Sequence, residues 1–155
     1  MKVHLGCDHG GFSLKEALKK HLSSKGYDVS DEGAHRLDPQ DDYVDFALKV
    51  AKKVGVAEGK ALFQDKVRGI LLCRSAAGMV IAANKVKGVR AVAAFDEESA
   101  RHSREHNAAN VLGLSGDWME EKKALHLADV WLSTSFSNEE RHSRRLRKIA
   151  GFEGL

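Results

Sequence analysis

The 155-residue chain has one proline and only two cysteines, and both scarcities narrow what it can be. Cys7 and Cys73 lie far apart and form no C-x-x-C pair, which argues against a zinc knuckle and a disulfide framework and for free thiols in a reducing compartment. No apolar run approaches the roughly 20 residues of a membrane span. The opening Met1-Lys2-Val3-His4-Leu5-Gly6 turns polar too early for a signal peptide, so the expected location is the cytoplasm. No Gly-x-Gly-x-x-Gly follows the first strand-like run and no Walker lysine pattern occurs, which removes the warrant for dinucleotide binding. Repeats and low-complexity segments are also missing. A formal charge of +3 is too small to imply a nucleic-acid partner.

What is present is an ordinary globular composition, 43% hydrophobic and 30% charged, in a length that suits one domain with a real core. The chain is organised around residues 67–85. An apolar run, Val67 to Leu72, stops at Cys73, passes through small residues and resumes as a helix former at Met79. That reads as strand, tight turn, helix. Such a turn aims backbone N–H groups and a helix dipole at whatever lies above the strand end, and so favours anions and thiolates.

The rest alternates in the same way. Residues 2–6 predict a strand that ends in Gly6-Cys7-Asp8-His9-Gly10-Gly11; a helix through Leu22 follows, with Gly26 as its C-terminal cap. Tyr27 to Asp31 reads as a second strand, and 33–42, with the single proline, as a loop. Helical spacing then runs from Tyr43 to about Val56, with Gly55 to Lys66 as a looser connection. Further strands are expected at 67–73, 89–94 and 110–114, and helices at 79–85, 97–106 (capped by Asp96), 119–132 and 139–149. Five strands alternating with helices predict an α/β fold, a parallel sheet wound on both faces in a flavodoxin-like order. In that order the ligand sits between the carboxyl ends of strands 1 and 3, here Cys7-Asp8-His9 and Cys73-Arg74-Ser75.

Each candidate has two readings. Cys73 is either a thiolate base or nucleophile, or a small buried hydrophobe; convergence with Asp8 and His9 favours chemistry. Asp8 could equally cap a helix. His4, Cys7 and His9 do not form a metal set, because alternation points His4 away from the other two. His106, followed by Asn107, ends a helix where the dipole alone would select a cation. Arg141 and Arg145 stand one turn apart, as a solvated face or as a fork for a phosphate.

Taken together, Gly-Cys-Asp-His at 6–9, Ile81-Ala82-Ala83-Asn84-Lys85 with Gly88-Val89-Arg90-Ala91, Arg104-Glu105-His106-Asn107-Ala108-Ala109-Asn110-Val111, and Arg141-His142 with Arg145 resemble one family along almost the whole chain. It is that of the type B ribose-5-phosphate isomerases and the related galactose-6-phosphate isomerase subunits. The resemblance implies a Rossmann-like three-layer αβα body over residues 1–136. Residues 137–155 would be a C-terminal helix and tail, part of the same domain, reaching the partner of a homodimer that could pair again. It also implies an aldose-ketose isomerase that needs no metal or cofactor, binds a small sugar phosphate, and engages neither nucleic acid nor membrane. By resemblance Cys73 moves a proton between C2 and C1, Ser75 steadies the oxyanion, and Asp8 and His106 assist ring opening beside Asn107. His9, Arg141 and Arg145 would hold the phosphate, with Tyr43, Arg74 and Gly78 at the substrate. The turn departs from the family's usual Cys-Gly-Thr-Gly-x-Gly: here it is Cys73-Arg74-Ser75-Ala76-Ala77-Gly78, and Asp117 stands where an arginine is usual. The rival readings are another pentose or hexose phosphate as substrate, a sugar-phosphate or nucleotide sensor that lost its chemistry, and nucleic-acid binding by the last helix.

Overall fold

Strand β3 (Val67–Cys73) supplies alternate side chains to two cores, one on each face of the sheet. Ile70 and Leu72 join Val3, Leu5, Leu18, Leu112 and Trp131 on one face, whereas Leu71 and Cys73 join Val50, Val54, Met79 and Val111 on the other. The computed structural model describes residues 1–63 and 66–155, with only the backbone of Lys60.

The other strands are β1 (Lys2–Cys7), β2 (Asp28–Asp31), β4 (Ala91–Ala93) and β5 (Val111–Ser115). They form one all-parallel sheet in the order β2-β1-β3-β5-β4. The first three positions are those of a flavodoxin-like sheet, and the last two strands are exchanged relative to it. The switch point between β1 and β3 is unaffected. Helices α1 (Phe12–Ser24) and α5 (Glu121–Ser133) pack on the first core, α2 (Tyr43–Lys60) and α3 (Ala77–Ala83) on the second. Helices α4 (Glu97–Glu105) and α6 (Glu140–Glu153) complete the chain.

Asp96 caps α4 as expected, its carboxylate accepting the Ser99 N–H at 2.7 Å in a reciprocal capping box. Helix α2 runs past the expected end near Val56 to Lys60. Its Gly55 is a point of close approach, since a Cβ there would lie 2.5 Å from the Lys87 carbonyl oxygen. The looser connection expected to Lys66 is thus partly helix, and residues 64–65 of it lie outside the described residues. Helix α6 likewise continues four residues beyond the expected Ile149, to Glu153. Helix α3 begins and ends two residues earlier than its sequence pattern suggested. Among the described residues no helix is long and apolar enough to cross a membrane.

A buried ion pair ties α1 to β2. The ammonium of Lys15, wholly enclosed, donates to both Asp31 oxygens at 2.9 and 2.8 Å and to the Ala34 carbonyl at 2.6 Å, and Lys19 reaches the same carboxylate at 2.8 Å. Burial alone would raise the Asp31 pKa, but Lys15, Lys19 and the Gly33 N–H outweigh it and hold the carboxyl at about 2. Because the folded value lies below the unfolded one, this contribution is fully present above about pH 4 and fades as pH falls toward 2, a loss of order 2 kcal/mol. Asp31→Asn should therefore be less stable near neutrality and show a flatter fall in Tm between pH 5 and 2.

Candidate active site

Three strand ends meet at the switch point with almost no room between their backbones. A Cβ on Gly11 would lie 2.2 Å from the Leu72 carbonyl oxygen, and one on Gly116 would lie 2.4 Å from that of Gly10. The Asp8 N–H donates to the Leu72 carbonyl at 3.3 Å, and the Gly116 N–H to that of Cys73 at 2.8 Å. The turns after β1, β3 and β5 therefore form one rigid block, and two of them carry Asp8, His9, Cys73 and Ser75.

Cys73 closes β3 as an almost buried residue, 5% exposed, with the backbone N–H groups of Met79, Ser75 and Ala76 close enough to lower its thiol pKa. The sequence suggested a thiol made acidic by the helix start. The structure corrects this: burial first, then the nearby Asp8 carboxylate, push the Cys73 thiol above its ordinary value, and the three N–H groups only partly offset them. Helix α3 has only seven residues, so its dipole contributes little beyond those amides. Cys7, on the opposite face of the sheet, is fully buried, and its thiol is pushed up to about 12, chiefly by burial.

The capping reading of Asp8 holds. Its Oδ1 accepts the Gly11 N–H at 3.1 Å and so caps the short turn of His9–Gly11, while burial raises its pKa against the pull of that bond. His9 is fixed by a residue the sequence reading passed over. Asp41 accepts from the His9 N–H at 3.0 Å and meets its Nδ1 at 2.7 Å, which leaves Nε2 as the free end of the ring. Only an acidic residue in a turn-rich loop hinted at Asp41, and nothing local distinguished it from Asp38 or Asp42. His4 is occupied elsewhere, its Nδ1 2.7 Å from Glu32.

The altered turn is accommodated. Ala76 takes the left-handed conformation, φ +65°, that a glycine would adopt freely. Ala76→Gly should relieve this strain and raise stability by about 1 kcal/mol, measurable by denaturant unfolding. Arg74 does not crowd the sulfur; it lies over Gly10 and reaches out to Asp117 at 3.3 Å, both side chains largely exposed. The carboxylate where the family usually has an arginine is thus answered by a guanidinium one strand away. Gly78 leaves space for the Tyr43 ring, since a Cβ there would lie 2.9 Å from two of its carbons.

His106 and Asn107 are not beside Cys73 within one chain. Helix α4 returns to the amino end of β5, where Val111 pairs with Gly69, while Cys73 lies four residues further along β3, about 13 Å away by strand rise alone. The segment is nonetheless tightly held. Arg90 donates to the Asn107 and Ala108 carbonyls at 3.1 Å each and pairs with buried Glu58 at 3.0 Å; Arg104 donates to the Ala109 carbonyl. Ala108, with φ +45°, turns the chain between these two clamps. Asn84 and Asn110 are also structural, the first exchanging two hydrogen bonds with Ala91, the second bonding Arg90 and Gly88. Helix α6 packs its His142 ring 4.4 Å from that of His106. On its exposed face Arg141 meets Glu139 at 2.8 Å, and Arg145 has no ion-pair partner among the described residues.

A doubly wound α/β sheet whose switch point gathers a thiol and a buried carboxylate has the architecture of a small-ligand site at that point. The chain belongs to the ribose/galactose isomerase family, whose model matches residues 3–149. It is an aldose-ketose isomerase similar to the ribose-5-phosphate isomerases of type B. Ribose-5-phosphate isomerase B of Mycobacterium tuberculosis is 38% identical over 153 residues, 99% of this chain and 90% of that one. The crystal structure of ribose-5-phosphate isomerase B from Mycoplasma genitalium with bound ribulose-5-phosphate superposes with a TM-score of 0.92 at 38% identity, covering 99% of this chain and 96% of the other. That of the Clostridium thermocellum enzyme gives 0.89 at 41% identity, covering 99% and 98%.

Proposed function

We propose that this isomerase interconverts ribose 5-phosphate and ribulose 5-phosphate through an enediolate, with Cys73 as the base and a second copy of the chain completing the site. The observation that carries the reading is the thiol at the switch point, with three backbone N–H groups and Asp8 close to it. Open-chain ribose 5-phosphate loses its C2 proton to the Cys73 thiolate. The electron pair forms the C1–C2 double bond, and charge gathers on the C1 oxygen, which the Ser75 hydroxyl and turn amides stabilise. The Cys73 thiol then returns the proton to C1, while a hydroxyl proton passes from O2 to O1, giving the ketose. A raised thiol pKa lowers the thiolate population at neutral pH but makes each thiolate a stronger base toward carbon.

Asp8 and His106 open the furanose ring, and His9, held by Asp41, turns Nε2 to the phosphate. His106, Asn107, Arg141 and Arg145 come from the neighbouring subunit, because their own Cys73 is at the wrong end of the sheet. Exposed Ile81, Ile149 and Phe152 support such a pairing, as apolar surface that a second copy can cover. No step needs a metal or cofactor, so EDTA should leave turnover unchanged.

Arg74 favours a second reading, in which the substrate is another pentose or hexose phosphate with a group for that guanidinium. The test of both is solvent-deuterium exchange into a panel of pentose and hexose phosphates. Ribose 5-phosphate should exchange fastest; preference for another sugar would support the second reading, and no exchange in any would leave a binding protein.

A further inference from the structure

His102, Glu105 and His106 stand at i, i+3 and i+4 on α4 and its C-terminal cap, so their side chains leave one face of the helix. One ring nitrogen from each histidine and one carboxylate oxygen all lie within 4.8 Å of one another. The two imidazoles are stacked, 4.7 Å between centroids and 22° between planes, which sets their nitrogens side by side. The stretch His102-Ser103-Arg104-Glu105-His106 also has the H-x-x-E-H spacing with which one class of zinc enzyme presents two imidazole ligands from a helix, the glutamate there serving as a base; here the converging carboxylate oxygen makes Glu105 a third donor.

We propose that His102, Glu105 and His106 bind a divalent transition-metal ion, zinc above all, and that the bound ion inhibits the enzyme by withdrawing His106 from the sugar phosphate. The inhibitory half rests on the role given to His106 above. Two imidazoles and a carboxylate suit zinc, and small side-chain rotations bring donors 4.8 Å apart to the separation a tetrahedral ion needs. Glu98, its carboxylate 4.0 Å from His102 Nδ1, adds negative charge beside the donors without a hydrogen bond to the ring. His142 packs its ring 4.4 Å from that of His106 and holds the Ser137 hydroxyl at 3.0 Å through Nδ1, but it is not among the three residues whose donor atoms converge. An open groove of about 510 Å³ bordered by Glu105, His106, Phe136 and Glu139 gives the ion a route in. Water fills the fourth position. The ion would therefore act against catalysis, in an enzyme whose proton transfer asks for none.

The experiment titrates the metal-free full-length protein with zinc chloride in competition with a chromogenic zinc chelator, alongside turnover of ribose 5-phosphate. Wild type should bind one zinc per chain, lose turnover in step with occupancy, and recover on adding EDTA. His102→Ala, which lies outside the catalytic groups, should keep metal-free turnover, lose zinc affinity on the order of tenfold or more, and escape inhibition. Glu105→Gln should weaken binding with the helix intact. Zinc bound equally well by wild type and His102→Ala overturns the site, and is also what capture by Cys73 would give. Zinc seated there without loss of turnover overturns the inhibition. Should the metal-free wild type not turn over ribose 5-phosphate at all, the proposed substrate fails instead, and the chelator competition still decides the site.

Discussion

Cys73→Ala will lower kcat by roughly 10²- to 10⁴-fold, the range a positioned general base supplies, while leaving the affinity for the sugar phosphate within a few-fold. The separation is expected because Cys73 is almost buried and touches the reacting carbons at most, whereas binding energy comes from the phosphate end. Steady-state kinetics together with equilibrium binding of the sugar phosphate check it. The wild-type pH profile follows from the same environment. Burial and Asp8 raise the Cys73 pKa, so the reactive thiolate is a minority near neutral pH and its fraction grows as pH rises. The ratio kcat/KM should climb through the alkaline range and level off above the ordinary thiol value. Undiminished turnover in Cys73→Ala would move the base elsewhere, with Asp8 the next candidate.

Mixing two inactive variants, Cys73→Ala and His106→Ala, should restore about a quarter of wild-type activity after subunit exchange. Random exchange between equal amounts makes about half the dimers mixed, and each mixed dimer has one intact and one doubly defective site. The expectation follows from β5, which separates the two residues within a chain by its full length. If Cys73 and His106 served one site from one chain, no mixture would recover. The assay is turnover before and after exchange, with each variant alone as its control.

The elements that depend on local chemistry were legible. Asp96 announced its capping box, Gly26 its turn, and the apolar run into Cys73 its strand and helix. The switch point followed from alternation alone. What the sequence could not reveal was set by tertiary approach. Gly55 looked like a helix breaker and is instead the place where α2 touches the Lys87 carbonyl. The three-residue β4 could lie on either side of β5, because so short a strand has no pattern that selects a neighbour. Cys73 met the rule for an activated thiol at a helix start, but burial and Asp8 reversed the direction of its shift. Asp41 carries no signal because its partner, His9, is 32 residues away. Asn84, Arg90, Arg104 and Asn110 stood out as motif residues and turned out to brace backbone.

Where the turns after β1 and β5 meet their neighbours, main chain is pressed against main chain, so a saturation library at Gly11 or Gly116 should return almost nothing but the parent residue. On the function proposed above, a change in sugar preference would pass through Tyr43, at the start of α2, and Arg74 and Ser75, in the turn after β3. Of these only Arg74 has a tether, and that tether is a single solvent-exposed carboxylate. A change at Asp117, one step removed from any ligand, is therefore the least disruptive route by which this lineage could adopt a new sugar.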